Sequence, residues 1–258
     1  MHRIDVQEIV AIAKEAGRCI MQIYKHDFEV EYKQDKSPLT LADRMSNDII
    51  ERALGRLSIN YPILSEESKH APYDLRRNWK YYWLVDPLDG TKEFVKKNNE
   101  FTVNIALIFQ NTPILGVVYA PALDLCYWAK QGEGAFKNGI RLPYCLEQNK
   151  NTFKIVISRS HVSDETQAFV HALNTKKKKK ELVSIGSSLK LCLVAEGRAD
   201  IYPRLGPTME WDTGAAHAIL KESMCEIYCY DDNSVLKYNS KESLLNPYFY
   251  CKRKEKLC

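Results

Sequence analysis

Tyr81-Tyr82-Trp83-Leu84-Val85-Asp86-Pro87-Leu88-Asp89-Gly90-Thr91 sets two carboxylates three residues apart, directly after an apolar run. The run reads as a buried strand. Pro87 cannot donate a ladder hydrogen bond, and Gly90 permits backbone angles that other residues resist. The chain is therefore expected to leave the sheet here and fold tightly, bringing Asp86 and Asp89 together. Two neighbouring carboxylates repel and raise each other's pKa unless a cation lies between them, which points to a divalent metal site. Hard oxygen ligands favour Mg²⁺ or Mn²⁺. The competing reading is a solvent-exposed turn, because Asp, Pro and Gly are ordinary turn residues.

Other acidic residues weigh on that choice. Upstream, Tyr61-Pro62-Ile63-Leu64 runs into Ser65-Glu66-Glu67-Ser68, a second short strand ending on carboxylates. Thr40-Leu41-Ala42-Asp43 has the form of a capping box opening a helix, with Asp43 in its first turn. Downstream, Glu210-Trp211-Asp212 opens the helical pattern Ala215, Ala216, Ile219, Leu220, and Asp212 fits an N-cap. Capping alone would explain Asp43 and Asp212.

Taken together these four places resemble the inositol monophosphatase superfamily of lithium-sensitive, magnesium-dependent phosphatases. Within it, Trp83 to Phe94, Glu100 to Ile108, Pro113 to Pro121, Ile157 to His161 and Ser184 to Lys190 are similar to bacterial 3'(2'),5'-bisphosphate nucleotidases, from about Val6 to about Phe249. The resemblance implies a layered α/β/α/β/α sandwich of the inositol monophosphatase and sugar phosphatase type. It also implies two or three Mg²⁺ ions, with Mn²⁺ as a substitute. Glu66, Asp86 and the Leu88 carbonyl would hold the first ion, and Asp86, Asp89 and Asp212 the second. A weaker third would lie near Glu66, with Glu67 in support. Thr91 would orient the attacking water and Asp43 would accept its hydroxyl proton, making Asp43, Thr91 and Glu66 the catalytic group. Gly90 and Thr91 would cradle the phosphate beside Glu66, Leu88, Asp89 and Asp212. His161, Ser187, Lys190 and Arg204 would contact the nucleoside and its spectator 5'-phosphate. Without the resemblance, Lys190 and Arg204 read as surface charges and His161 as a polar loop residue. Trp211 is expected to pack beneath the metal loop.

The implied activity is hydrolysis of the 3'-phosphate of adenosine 3',5'-bisphosphate, in the setting of sulfate assimilation. An inositol monophosphatase or sugar bisphosphatase would keep the same acids and differ in the spectator pocket. A catalytically silent binding protein is a third reading, which the full set of acids does not favour.

The 258 residues are 45% hydrophobic, enough for a sizeable core, and the formal charge of +4 is too small for a nucleic-acid binder. No apolar run reaches the length of a membrane helix, and no basic-then-apolar leader opens the chain, so a cytoplasmic protein is expected. The runs Lys176 to Lys180 and Lys252 to Lys254 read as a solvated loop and a frayed tail, with weak contact to acidic lipid on the inner membrane's cytoplasmic face as the alternative. A homodimer is compatible with the resemblance. The eight cysteines form no C-x-x-C pair or zinc pattern; Cys19 and Cys192 fall in apolar helices, and Cys258 ends the chain.

Val6, Ile9, Val10, Ala13, Ala16, Ile20 and Ile23 predict an amphipathic first helix. Met45, Ile49, Ala53, Leu54 and Leu57 predict the inner stripe of a second. Alternation from Phe101 to Phe109, a turn at Pro113 and a return through Ala120 predict a hairpin, with another at Asn138-Gly139. From Lys154 strands and helices alternate. The chain is thus divided into 1–150, helices on a mostly antiparallel sheet bearing most metal ligands, and 151–258, an α/β part bearing substrate contacts and Asp212.

Overall fold

A computed structural model of the chain describes residues 4–26, 30–32, 38–144, 151–159, 163–175 and 178–254. Helix α1 (Val6–Tyr24) is followed by the ribbon β1 (Val30–Tyr32) and β2 (Pro38–Thr40), then α2 (Leu41–Leu54), β3 (Ile63–Ser65), α3 (Tyr73–Arg76), β4 (Tyr81–Asp89) and α4 (Thr91–Val95). Strands β5 (Thr102–Phe109), β6 (Thr112–Ala120), β7 (Leu125–Lys130), β8 (Gly134–Lys137) and β9 (Ile140–Arg141) complete a seven-stranded sheet in the order β3 to β9. Only the β3–β4 pair within it is parallel. The remainder is β10 (Thr152–Ser158), α5 (Asp164–Ala172), β11 (Lys179–Ile185), α6 (Leu189–Glu196), β12 (Ile201–Arg204), α7 (Glu210–Glu222), β13 (Cys225–Cys229) and β14 (Phe249–Arg253). Its five strands lie in the order β11-β10-β12-β14-β13, parallel through β12 and antiparallel beyond it.

The layers are α1 and α2, the large sheet, α6 and α7, the smaller sheet, and α5, the expected sandwich. Two apolar clusters fill it. One joins α1 and α2 to Trp83, Val85, Val103 and Ile105; the other joins Leu84, Ala106 and Val118 to α6, α7 and strands of the smaller sheet. Successive residues of a strand point to opposite faces, so β4 and β5 supply both clusters. The period-two pattern at Phe101 to Phe109 correctly marks one face, but Ala106 and Ile108 are buried on the other.

Several local expectations are corrected. The hairpin turn between β5 and β6 is Gln110-Asn111, both at positive φ, and Pro113 lies inside β6. On α2, Met45 is exposed, and the covered face carries Asp43, Ser46 and Asn47 among Ala42, Ile50 and Leu54. Polar groups occupy that face because they hold the acidic turns described below. Lys252 and Arg253 are not a frayed tail: they belong to β14, between β12 and β13. Lys179 and Lys180 likewise belong to β11, and Lys180 Nζ donates to the carbonyls of Val170 and His171 at the end of α5. Lys176, Lys177, His161 and Cys258 lie outside the described residues. Cys19 and Cys192 are buried thiols, and no described helix is long and apolar enough to cross a membrane.

Glu196, fully buried at the end of α6, ties the helix layer to the large sheet. Its Oε1 accepts from Tyr127 Oη at 2.5 Å and Lys137 Nζ at 2.9 Å, and its Oε2 accepts from Tyr144. Removing one donor from a buried carboxylate leaves it under-solvated. Tyr127→Phe is therefore expected to cost about 2 kcal/mol, lowering the thermal midpoint by roughly 4–8 °C; an unchanged midpoint would contradict this.

Candidate active site

The decisive stretch does not leave the sheet at Pro87. Strand β4 continues to Asp89 through a bulge: Asp86 pairs with Asn104 and Asp89 with Thr102, so one extra residue is inserted. Pro87 is tolerated there, since a bulge already interrupts the ladder. Residues three apart in a regular strand face opposite sides, and the inserted residue lets Asp86 and Asp89 line the same cleft. Asp86 Oδ1 accepts from Leu88 N at 3.1 Å, and Ser46 Oγ on α2 donates to the Pro87 carbonyl at 2.7 Å. Gly90 follows at φ 91°, a conformation unfavourable for other residues, and turns the chain into α4.

Glu66 stands just past the end of β3, its N–H donating to the Val85 carbonyl at 3.1 Å. The turn it opens is held from α2, where Asn47 bonds Ser65 and Ser68, and Glu51 accepts from Ser68 Oγ at 2.5 Å. His70 bonds the Ser65 carbonyl and packs its ring against Trp211, 5.2 Å between centroids. The capping box is present: Asp43 Oδ2 accepts from Thr40 N and Thr40 Oγ1, while Asp43 Oδ1 lies 3.1 Å from Thr91 Oγ1. Asp212 is not an N-cap. Helix α7 begins at Glu210 after Met209, and Asp212 is its third residue, accepting from Met209 N at 2.9 Å.

Carboxylate oxygens of Glu66, Asp86 and Asp212 all lie within 4.8 Å of one another. Asp89 lines the same cleft, with its Oδ2 2.7 Å from Ser188 Oγ and 3.4 Å from Asn104 Nδ2. Burial, followed by the charges of Glu66, Asp89 and Asp212, pushes the Asp86 carboxyl well above its ordinary pKa, against the opposing Leu88 N–H. Asp212 is pushed up by burial and then by Asp89 and Glu66. Acids held together against repulsion, all hard oxygen donors, suit a divalent cation of the Mg²⁺ or Mn²⁺ kind. The arrangement removes the exposed-turn reading, since Asp86 is 1% exposed.

The cleft over these acids, about 430 Å³, is lined by Leu88, Gly90, Thr91 and Trp211 as well. A second cleft shares Asp89, Gly90 and Asp212 and is lined by Ser187, Lys190, Tyr202 and Arg204. Lys190 Nζ donates to the Ser187 carbonyl at 2.5 Å and lies 5.8 Å from the Tyr202 ring centroid. Burial lowers its pKa, partly offset by Asp89. Ser187 adopts φ 47°, and its buried hydroxyl has no hydrogen-bond partner among the described residues, a strained donor lining the cleft.

Of the expected site residues, all but His161 are described, and Glu66, Leu88, Asp89, Gly90, Thr91 and Asp212 share one cleft that adjoins Ser187, Lys190 and Arg204. Sequence reasoning missed Tyr202, the Asn104–Ser188 brace behind Asp89, and Glu93, which lines both clefts. The signal for Glu93 was its place two residues beyond Thr91.

A profile of the inositol monophosphatase family matches residues 4–256. The 3'(2'),5'-bisphosphate nucleotidase CysQ of Salmonella typhimurium is 46% identical over 248 residues, covering 95% of this chain and 98% of that protein. The crystal structure of CysQ from Bacteroides thetaiotaomicron, 43% identical, superposes with a TM-score of 0.87 over 97% of both chains. Staphylococcal inositol monophosphatase-1, solved as a LiCl-soaked inhibitory complex, shares the fold at 21% identity, with a TM-score of 0.79 over 98% of this chain and 92% of its own.

Proposed function

This chain belongs to the inositol monophosphatase family, and we propose that it is a Mg²⁺-dependent phosphomonoesterase removing the 3'-phosphate of adenosine 3',5'-bisphosphate to leave AMP and phosphate. The observation that carries the reading is the adjacency of the Glu66, Asp86 and Asp212 cluster to a cleft bearing Lys190 and Arg204. A substrate with one phosphate to cleave and a second to anchor needs both. An inositol phosphate needs the first alone, so the cations favour the bisphosphate.

Glu66, Asp86, Asp89, Asp212 and the Leu88 carbonyl would hold two or three Mg²⁺ ions, with Mn²⁺ able to replace them. When bound, such ions lower the pKa of a coordinated water and neutralise charge on the phosphoryl group and leaving oxygen. Thr91 donates its hydroxyl proton to Asp43, which leaves its oxygen lone pairs directed to accept a proton from a water. Asp43 is fixed for that task by its two bonds from Thr40. Gly90, lacking a side chain, lets phosphate oxygens approach the backbone N–H groups of residues 90 and 91. Lys190, Arg204 and the Ser187 hydroxyl would take the 5'-phosphate, and Tyr202 would wall the same cleft; His161 is assigned to the nucleoside. The division of labour follows the chain, with residues 1–150 supplying most metal ligands and 151–258 the anchoring cations.

The test is phosphate release from adenosine 3',5'-bisphosphate, inositol 1-phosphate and fructose 1,6-bisphosphate. The adenosine compound should lead in kcat/KM by on the order of 10²-fold, consistent with a charged anchor of a few kcal/mol. Release should stop on chelation and fall in Li⁺ at about millimolar levels, as cations compete for oxygen sites. A preference for inositol phosphate would move the chain to another branch of the family. Nucleotide binding without release under any divalent ion would make it a silent binder.

A further inference from the structure

Arg204-Leu205-Gly206-Pro207-Thr208-Met209 carries the chain from β12 to α7, and Thr208 lines both clefts. Its backbone is fixed from across the turn. The Thr208 carbonyl accepts from Asn246 N at 2.8 Å, and Met209 pairs with Leu245 in an isolated antiparallel bridge. Arg204 folds back onto the same turn, its Nη2 donating to the Pro207 carbonyl at 2.8 Å. That carbonyl belongs to the peptide unit of the Thr208 nitrogen, so the guanidinium lies beside Thr208.

The Thr208 hydroxyl is not needed for this bracing. Asn246 Nδ2 carries two hydrogens and has three acceptors in range: the Met209 carbonyl at 2.7 Å, and Thr208 Oγ1 and Thr213 Oγ1 at 3.2 Å each. Met209 and Thr213 satisfy both hydrogens without it. By accepting from the amide, Thr208 Oγ1 keeps its own proton to donate, and among the described residues no acceptor takes that proton. A substrate group recognised there must be an acceptor. The guanidinium beside it, and Lys190 in the same cleft, favour an anionic one.

We propose that Thr208 is a specificity-determining residue that donates a hydrogen bond to the spectator phosphate anchored by Lys190 and Arg204. The inference rests on the nucleotide reading above. Because Thr208 lines both clefts, the anchored phosphate lies at their junction, which suits two phosphates separated by a single sugar. Charge alone attracts any anion, whereas a hydroxyl held on paired backbone is directional. A site built to bond a group in this way rejects the analogue that lacks it.

The test compares kcat/KM for adenosine 3',5'-bisphosphate and adenosine 3'-monophosphate in the wild type, Thr208→Ser, Thr208→Val and Thr208→Ala. Calorimetric binding of AMP supplies a readout free of turnover. The wild type should prefer the bisphosphate, and in Thr208→Val and Thr208→Ala that preference should fall by roughly 10- to 100-fold, the range expected of a hydrogen bond to a charged group. The Kd of AMP should rise by a similar factor. Thr208→Ser, which keeps the hydroxyl, should keep most of the preference. Displacement of Asp212 or a general loss of activity affects both substrates alike, so a merely structural role leaves the ratio at its wild-type value. An unchanged ratio in both Thr208→Val and Thr208→Ala overturns the proposal while leaving the nucleotidase reading intact, as does a fall in Thr208→Ser as large as in Thr208→Val. Failure of the wild type to release phosphate from either nucleotide removes the nucleotidase reading, and this inference with it.

Discussion

Asp86→Asn is expected to abolish phosphate release and, in metal-free buffer, to melt at a higher temperature than the wild type. The two effects share one cause. Asp86 is buried with Glu66, Asp89 and Asp212 around it, and each of those charges raises its pKa, so the ionised cluster strains the fold when no cation is bound. The amide keeps an oxygen for the Leu88 N–H and removes one of the repelling charges. Each pKa unit of relieved repulsion is worth about 1.4 kcal/mol, so even one unit lifts the midpoint by roughly 3–6 °C. Activity should fall by on the order of 10³-fold or more, since several kcal/mol of charge stabilisation is lost with the cation. Added Mg²⁺ should raise the wild-type midpoint by mass action and leave that of Asp86→Asn nearly unmoved. A variant that melts lower than the metal-free wild type, or that keeps near-normal turnover, would sink the cation-cage account.

The acids were legible in the sequence because each ends or begins a short element with recognisable punctuation: Pro87 and Gly90 after β4, Thr40 before α2, and a strand end before Glu66. Their convergence was legible only through the family resemblance, as nothing in local spacing brings Asp212 across the chain to Asp86. The bulge was not legible. Pro87 was a reason to end the strand, whereas the inserted residue accommodates it and is what turns both aspartates to one side. Strand β14 escaped because its lysine and arginine read as a solvated tail, and because the segment between β13 and β14 contains no helix or long strand to announce a return. Register with Ile201 to Arg204, far away in sequence, makes it a strand. On α2 the helical period was read correctly and the stripe Ile49, Ala53, Leu54 and Leu57 does pack on the core, but Met45 is exposed, and Asp43, Ser46 and Asn47 are buried for what they hold rather than for hydrophobicity. The start of α7 failed for a similar reason. The helix starts two residues before the expected cap Asp212, at a Glu210 that is buried, accepting from Asn239 N at 2.8 Å, and burial pushes its carboxyl up to about 7. Polar burial has no periodic signature, so the functional face of a helix is the part a hydrophobic pattern loses.

The position of α7, which carries Asp212, is set by close contact with the large sheet, and glycine substitutions there should separate two kinds of crowding. A Cβ on Gly116 of β6 would stand 2.2 Å from the Ala215 carbonyl oxygen and 2.9 Å from Ala218 Cβ. A Cβ on Gly214 would meet Leu84 Cδ2 at 2.7 Å. The first obstacle is helix backbone, which can move only with the helix; the second is the end of a side chain, which can change rotamer. Gly116→Ala is therefore expected to lower stability by about 3 kcal/mol, a midpoint drop of roughly 6–12 °C, whereas Gly214→Ala should cost about 1 kcal/mol. Function should follow the same order. Pushing α7 off the sheet displaces Asp212 from Glu66 and Asp86, and misplacement by about 1 Å can cost 10²-fold in turnover. Gly116→Ala should thus require more Mg²⁺ for half-maximal activity, while Gly214→Ala should keep the wild-type requirement. Equal effects of the two substitutions on the Mg²⁺ requirement would mean that the seating of α7 on β6 does not set the separation of the acids, and that the loop entering α7 at Met209 sets it instead.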